Sequence, residues 1–149
     1  MTVQEDVRNI YYNARRTAGL TQERWAEFLG ISPEAVRLYE TGKNMPGDEI
    51  VIRMADVSGV AALGYWHLQN KSRIAAEDLP DVPDRRIPEA VISLLCQIRD
   101  FQEESLPDLL KIASDGRIDQ DEREDYCAAL TRLRELISAS IALLYAKEA

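Results

Sequence analysis

Metal ligands and disulfide partners are scarce in this chain of 149 residues, which has one histidine, His67, and two cysteines, Cys96 and Cys127. The cysteines are far apart, lie in helical patterns and lack metal-ligand spacing. Two buried or idle thiols in a reducing compartment are therefore expected, with no disulfide or zinc framework. No apolar run approaches the roughly 20 residues that a transmembrane helix needs. Residues 1–6 lack the basic start and apolar core of a signal peptide, so a cytoplasmic location is expected. A nucleophile–base pair, a metal cluster and a phosphate-binding glycine loop are all missing, and neither an enzyme nor a cofactor is expected. Positive charge is short as well: 18 Lys and Arg stand against 26 Asp and Glu, a net charge of −8. Nucleic-acid binders usually carry a basic footprint, because phosphate neutralisation supplies much of their affinity. Residues 1–59 hold seven Lys/Arg against nine Asp/Glu, and residues 81–149 nine against fifteen. The acid is thus concentrated near the C-terminus, and a dimer can hold acid there while presenting a local basic face elsewhere.

What is present is helical periodicity from end to end. Val7, Ile10, Tyr11, Ala14 and Ala18 share one face of a first helix. Two short helices follow at about 21–29 and 32–40. Met45-Pro46-Gly47 breaks the chain, and Gly47 or Asp48 starts a fourth helix with Val51, Met54, Ala55 and Ser58 on one side, ending at Gly59. A fifth segment, residues 61–71, carries Leu63, Tyr65, Trp66 and Leu68, and closes the first core or joins an interface. His67 within it reads as structural. Residues 72–87, with Leu79-Pro80-Asp81-Val82-Pro83, predict a semi-extended linker, in which Arg85 and Arg86 are solvated charges.

Beyond the linker, residues 88 to about 104 form a helix with Val91, Leu94, Leu95, Ile98 and Phe101 as its stripe, and residues 106–114 a shorter one. Asp119 and Glu122 read as a capping box opening a last helix that runs to about residue 146. There Tyr126, Leu130, Leu133, Ile137 and Leu144 recur at three and four, widened by Leu136, Ile141 and Leu143. So wide a stripe needs more than one neighbour. Either it packs on the two preceding helices and a partner chain, or it closes a three-helix core within one chain. The run from Asp115 to Glu122 imitates half of a calcium loop. With Gly116 at the sixth loop position, however, Lys111 and Ala113 fall where oxygen ligands belong, so a glycine turn is expected instead.

The densest signal lies between Ala14 and Lys43. Thr21 suits a helix cap. Ala26 is small enough for a second helix to cross closely. Gly30 supplies the positive φ of a tight turn. Ser32-Pro33 reads as N-cap and first helical position, where proline's missing N–H costs nothing. Val36 and Tyr39 face back toward Trp25, Leu29 and Ile31. Together these residues describe two short helices crossing steeply through a three- or four-residue turn, the geometry that places a helix in the DNA major groove.

On these residues, 6–60 resemble the helix-turn-helix domain of the phage repressor and Cro class, the XRE family. The resemblance implies a five-helix repressor-like domain over residues 1–71; with the patterns above, the expected fold is all-α, with a linker over 72–87 and a C-terminal helical hairpin or bundle over 88–149 for dimerisation or interaction. It implies an internal salt bridge between Arg15 and Glu40. It makes 32–40 the recognition helix, presenting Pro33, Glu34, Arg37 and Leu38 to base edges, with Gln22, Thr41, Lys43 and Asn44 on phosphates. Pro33 and Leu38 offer only apolar contact, and Glu34 accepts from a cytosine N4 while feeling phosphate repulsion. Arg37 suits a bidentate guanine contact, or else a salt bridge to Glu34 or Glu40. The expected function is a sequence-specific, double-stranded-DNA-binding transcriptional regulator of phage or bacterial type, acting as a homodimer through its C-terminal helices. The alternative is a protein-interaction module on the same fold, an antirepressor or assembly partner, motivated by the net charge, Pro33 and Glu34.

Overall fold

A computed structural model describes the backbone of residues 3–148 and the side chains of residues 10–148. Val7, expected on the first helix's inner face, lies outside the described side chains. The chain is all-α, and the described residues contain one isolated bridge, Arg86 with Lys147, in place of any strand. It divides into two units, Met1–Leu79 and Pro80–Ala149.

The N-terminal unit comprises α1 (Val3–Thr17), α2 (Gln22–Leu29), α3 (Pro33–Glu40), α4 (Asp48–Ser58), α5 (Leu63–Lys71) and α6 (Arg73–Asp78). Helix α2 starts where the Thr21 hydroxyl accepts from the Arg24 N–H at 3.3 Å, and ends at Gly30 with φ 67°. Helix α3 starts where the Ser32 hydroxyl accepts from the Ala35 N–H at 3.1 Å, with Pro33 in the first turn. Gly47, in an extended conformation, precedes α4 without a side-chain cap, and Asp48 and Glu49 complement the helix dipole there. The core gathers Tyr11, Ala14, Trp25, Ala26, Leu29, Val36, Val51, Met54, Val60 and Leu63, with Tyr39 and Ile31 packed against it. Each fully buried large apolar side chain contributes about 1.5–3 kcal/mol. From the fifth segment, Leu63 and Tyr65 are buried whereas Leu68 is exposed.

Residues 72–87, expected to be a semi-extended linker, begin with a short helix, Arg73–Asp78. Ser72 caps α6, its hydroxyl accepting from the Ala75 N–H, and α6 packs on α5. After Leu79 the chain is extended and joins the second unit: Val82 is buried, and Ser138 donates to the Asp81 carbonyl at 2.6 Å. The prolines block helix formation here but leave a strap free to lie on a neighbour.

The C-terminal unit is a two-helix hairpin. Its first arm runs through α7 (Ile87–Asp100), a π-helical turn (Phe101–Ser105) and α8 (Leu106–Ala113). Pro107 explains the wide turn, since its ring would collide with the carbonyl four residues earlier in an undisturbed helix. Gly116, at φ 71°, lies in the connection to the second arm, α9 (Arg123–Leu144). Of the anticipated capping box only half forms: the Glu122 carboxylate accepts from the Asp119 N–H, and the helix begins after Glu122 instead of after Asp119. Lys147 pairs with Asp84 and exchanges backbone bonds with Arg85 and Ile87, tying the start of α7 to the end of α9.

The apolar stripes predicted for this hairpin are only partly covered, with Leu94, Phe101, Tyr126, Leu136, Ile141 and Leu143 half-buried. Ala90, Ala129, Ala139 and Ala142 are buried, while Val91, Leu95, Ile98, Leu130, Leu133, Ile137 and Leu144 are 36–80% exposed. Small residues let two helices approach closely, and a lone pair of helices covers only one face of each. Cys96 and Cys127 are free and exposed, so of the buried or idle thiols expected the structure excludes burial.

His67 is buried in the N-terminal unit and joins three helices. Burial pushes the Tyr11 hydroxyl up to about 12, so it remains a donor, 2.6 Å from His67 Nδ1. The His67 Nε2–H is then directed at Asp48 Oδ1, 3.3 Å away, and Lys71 also holds Asp48 at 2.7 Å. Burial holds this imidazole below the ordinary value of 6.5, despite the pull of Asp48. The unfolded chain therefore takes up a proton before the folded one does. The stability His67 contributes is complete above 6.5 and declines as pH falls through it toward the lower folded value. Urea unfolding from about pH 7.5 to about pH 5.5 is expected to show a falling midpoint that His67→Gln flattens. An equal fall in both proteins would assign the loss to other groups.

Candidate nucleic-acid interface

The interface is built on α3 and braced from behind. Arg15, on α1, is 8% exposed and Glu40, the last residue of α3, 9%. Their pair is bidentate: Nε lies 2.5 Å from Oε1 and Nη2 3.1 Å from Oε2, while Nη1 donates to the Leu20 carbonyl at 2.8 Å. The Glu40 hydrogen bond drives the Arg15 guanidinium further toward its charged form. Gln22 Nε2 donates to Glu40 Oε2 at 2.8 Å, so the first residue of α2 joins the same buried group. Three segments thus meet at one carboxylate, which sets the angle of α3 against α1 and α2.

The outer face of α3 presents Pro33, Glu34 and Arg37 to solvent, with Leu38 half-buried. Arg37 lies along its own helix and is paired with Glu34, Nε to Oε2 at 2.8 Å and Nη2 to Oε1 at 2.5 Å. That donation holds the Glu34 carboxyl below the usual carboxylate range. Glu40, the other partner considered for Arg37, is taken by Arg15.

The residues assigned to phosphates fall into two groups. Lys43 and Asn44 are exposed beyond α3, in a turn whose N–H groups both donate to the Leu38 carbonyl. Thr41 caps α3, its hydroxyl donating to the Arg37 carbonyl at 2.8 Å. Gln22 is half-buried, its amide nitrogen committed to Glu40. Sequence reasoning missed Arg16. It borders a cleft with Gly19, Leu20 and Thr21 at the amino end of α2, makes no ion pair among the described residues, and lies over Tyr12. The signal for it was the doublet Arg15-Arg16: if one faces inward to Glu40, its neighbour points about 100° away, toward solvent. Arg24 is committed to Glu27 at 2.6 Å. Arg16 at the amino end of α2 and Lys43 beyond α3 are thus exposed cations without an ion pair among the described residues, while Arg37 on α3 is self-paired.

A short helix with its inner side locked and its outer side open defines a helix-turn-helix unit of the DNA-binding class. Residues 12–62 match the family model described as helix-turn-helix. The N-terminal unit is a helix-turn-helix domain of the XRE type, the domain that DNA-binding regulators of that family carry. No curated protein and no solved structure matched the chain. Removing Glu40 would strand a buried guanidinium, a loss of about 3–5 kcal/mol. Glu40→Ala is expected to lower unfolding free energy by roughly that amount in urea titration, and a loss below about 1 kcal/mol would show the pair to be dispensable.

Proposed function

We propose that the protein is a sequence-specific DNA-binding transcriptional regulator of phage or bacterial type, which acts in the cytoplasm by binding and without a chemical step. The observation that supports this most is the uncovered outer face of α3, with the exposed cations Arg16 and Lys43 in the same unit and the Arg15–Glu40 pair as its brace. Phosphate contacts from these cations would fix register, while α3 reads base edges.

The reading includes pairing of two copies through the hairpin. A two-helix unit leaves Leu130, Leu133, Ile137 and Leu144 of α9 in water, along with Val91, Leu95 and Ile98 of α7. Their spacing on α9, three, four and seven apart, follows a coiled-coil seam. A second hairpin laid on this face completes a four-helix bundle. Helix α9, at 22 residues, is about 33 Å long. Two such faces about 20 Å wide bury roughly 1,300 Å², within the range of stable interfaces. A dimer of this kind carries two recognition helices and suits half-sites about 34 Å apart.

The second reading is a protein-interaction module, an antirepressor or assembly partner. The net charge of −8 and the acidic residue Glu34 on α3 favour it. Two measurements separate the readings. Binding to a palindromic fragment is expected to weaken linearly on a logarithmic salt scale, and Lys43→Ala to reduce that slope by about one unit. Absence of binding at low salt to any genomic fragment would favour the protein partner. In sedimentation, the full-length chain is expected to be dimeric and Leu130→Glu/Ile137→Glu monomeric with unchanged helicity. A variant that stays dimeric would remove the hairpin from the interface.

A further inference from the structure

The two arginine–glutamate pairs of the helix-turn-helix unit share one geometry and differ in what remains open. In both, the glutamate grips the side edge of the guanidinium, formed by Nε and Nη2. For Arg15 the outer edge is also used, because Nη1 donates to the Leu20 carbonyl, and the group is buried. For Arg37 the outer edge, Nη1 with the second hydrogen of Nη2, has no acceptor among the described residues and faces solvent. A planar fork of five donors serves two acceptor pairs at once. The outer edge alone matches guanine O6 and N7.

We propose that Glu34 is a positioning residue for base reading: it clamps the side edge of Arg37 so that the outer edge projects from α3, set for a bidentate contact with one guanine in the major groove. This rests on the DNA-binding reading above and adds that the salt bridge and the guanine contact are made together, not in competition. An unclamped arginine samples many rotamers, and immobilising it on binding costs conformational entropy. Glu34 removes much of that cost in advance. It also keeps Arg37 from straying to the nearest phosphate, where it would bind every sequence equally. The carboxylate stays ionised at neutral pH, since Arg37 stabilises its charged form. The arrangement carries no net charge, so Glu34 adds little repulsion to an approaching duplex.

Selection of bound DNA from a random pool tests this, with wild-type full-length protein beside Glu34→Ala, Glu34→Gln and Arg37→Ala. Affinities are then measured on the selected site, on its single-guanine variants and on unrelated DNA. Both positions are exposed, so the variants are expected to keep the wild-type unfolding curve. Wild type is expected to prefer one guanine per half-site by about tenfold, and Arg37→Ala to lose that preference. Glu34→Ala is expected to lose most of the same preference while binding unrelated DNA as tightly as wild type or more tightly, since an acid has been removed. Glu34→Gln, which keeps one acceptor oxygen, should fall between them. If Glu34→Ala retains or sharpens the guanine preference, Glu34 does not position Arg37 and the proposal fails while DNA reading stands. If wild type enriches no sequence, the proposal and the DNA-reading function fail together.

Discussion

The Arg15 guanidinium, held along one edge by Glu40 and at its tip by the Leu20 carbonyl, is the contact on which the orientation of α3 depends. Helices α2 and α3 have eight residues each, too short to persist alone. Their inner faces are secured by Trp25, Leu29 and Val36, which fix how deeply they sit but are nondirectional. A bidentate ion pair is directional. It acts at the end of α3, where Gln22 also converges, and so sets the axis along which the outer face points. The same kind of bond, moved to the exposed side as Glu34–Arg37, acts on presentation instead of orientation.

The two units answer the shortage of buried surface differently. The N-terminal unit surrounds Trp25, Tyr11, Met54 and Leu63 with helices on several sides, and its one histidine is absorbed into a hydrogen-bonded link between α1, α4 and α5. The hairpin has two arms and closes mainly on alanines and Ile112, with many of its larger aliphatic residues left exposed. An exposed apolar face of that extent is uncommon on a monomer and is the usual mark of an interface. Self-pairing through α7 and α9 is the occupant that the seam spacing favours.

Much of the helix-turn-helix was legible in the sequence, because its signals are local. Thr21, Gly30 and Ser32-Pro33 each specify a backbone state that few other residues satisfy, and the structure places caps and a left-handed turn at those positions. The hairpin was less legible. Periodicity identified Leu130, Leu133 and Ile137 as an apolar stripe, but it does not say which of two faces meets the partner arm, and the alanine face took that position. Within residues 72–87 the extended proline stretch was legible but its packing was not, because prolines exclude helix without excluding packing, as the burial of Val82 and the Ser138 bond to Asp81 demonstrate. At the candidate interface, residue types marked Arg37 and Lys43. The diversion of Gln22 to Glu40 depends on the three-dimensional meeting of α1, α2 and α3, which spacing alone does not encode, whereas the exposure of Arg16 followed from the inward turn of its neighbour Arg15.

Amide chemical-shift mapping of the full-length protein during titration with its selected DNA tests most directly whether α3 enters a duplex. The account predicts the largest changes in residues 32–44 and around Arg16 and Thr21, with α9 unaffected. Changes confined to the hairpin, or a recognition helix that remains silent while DNA is bound, would contradict it.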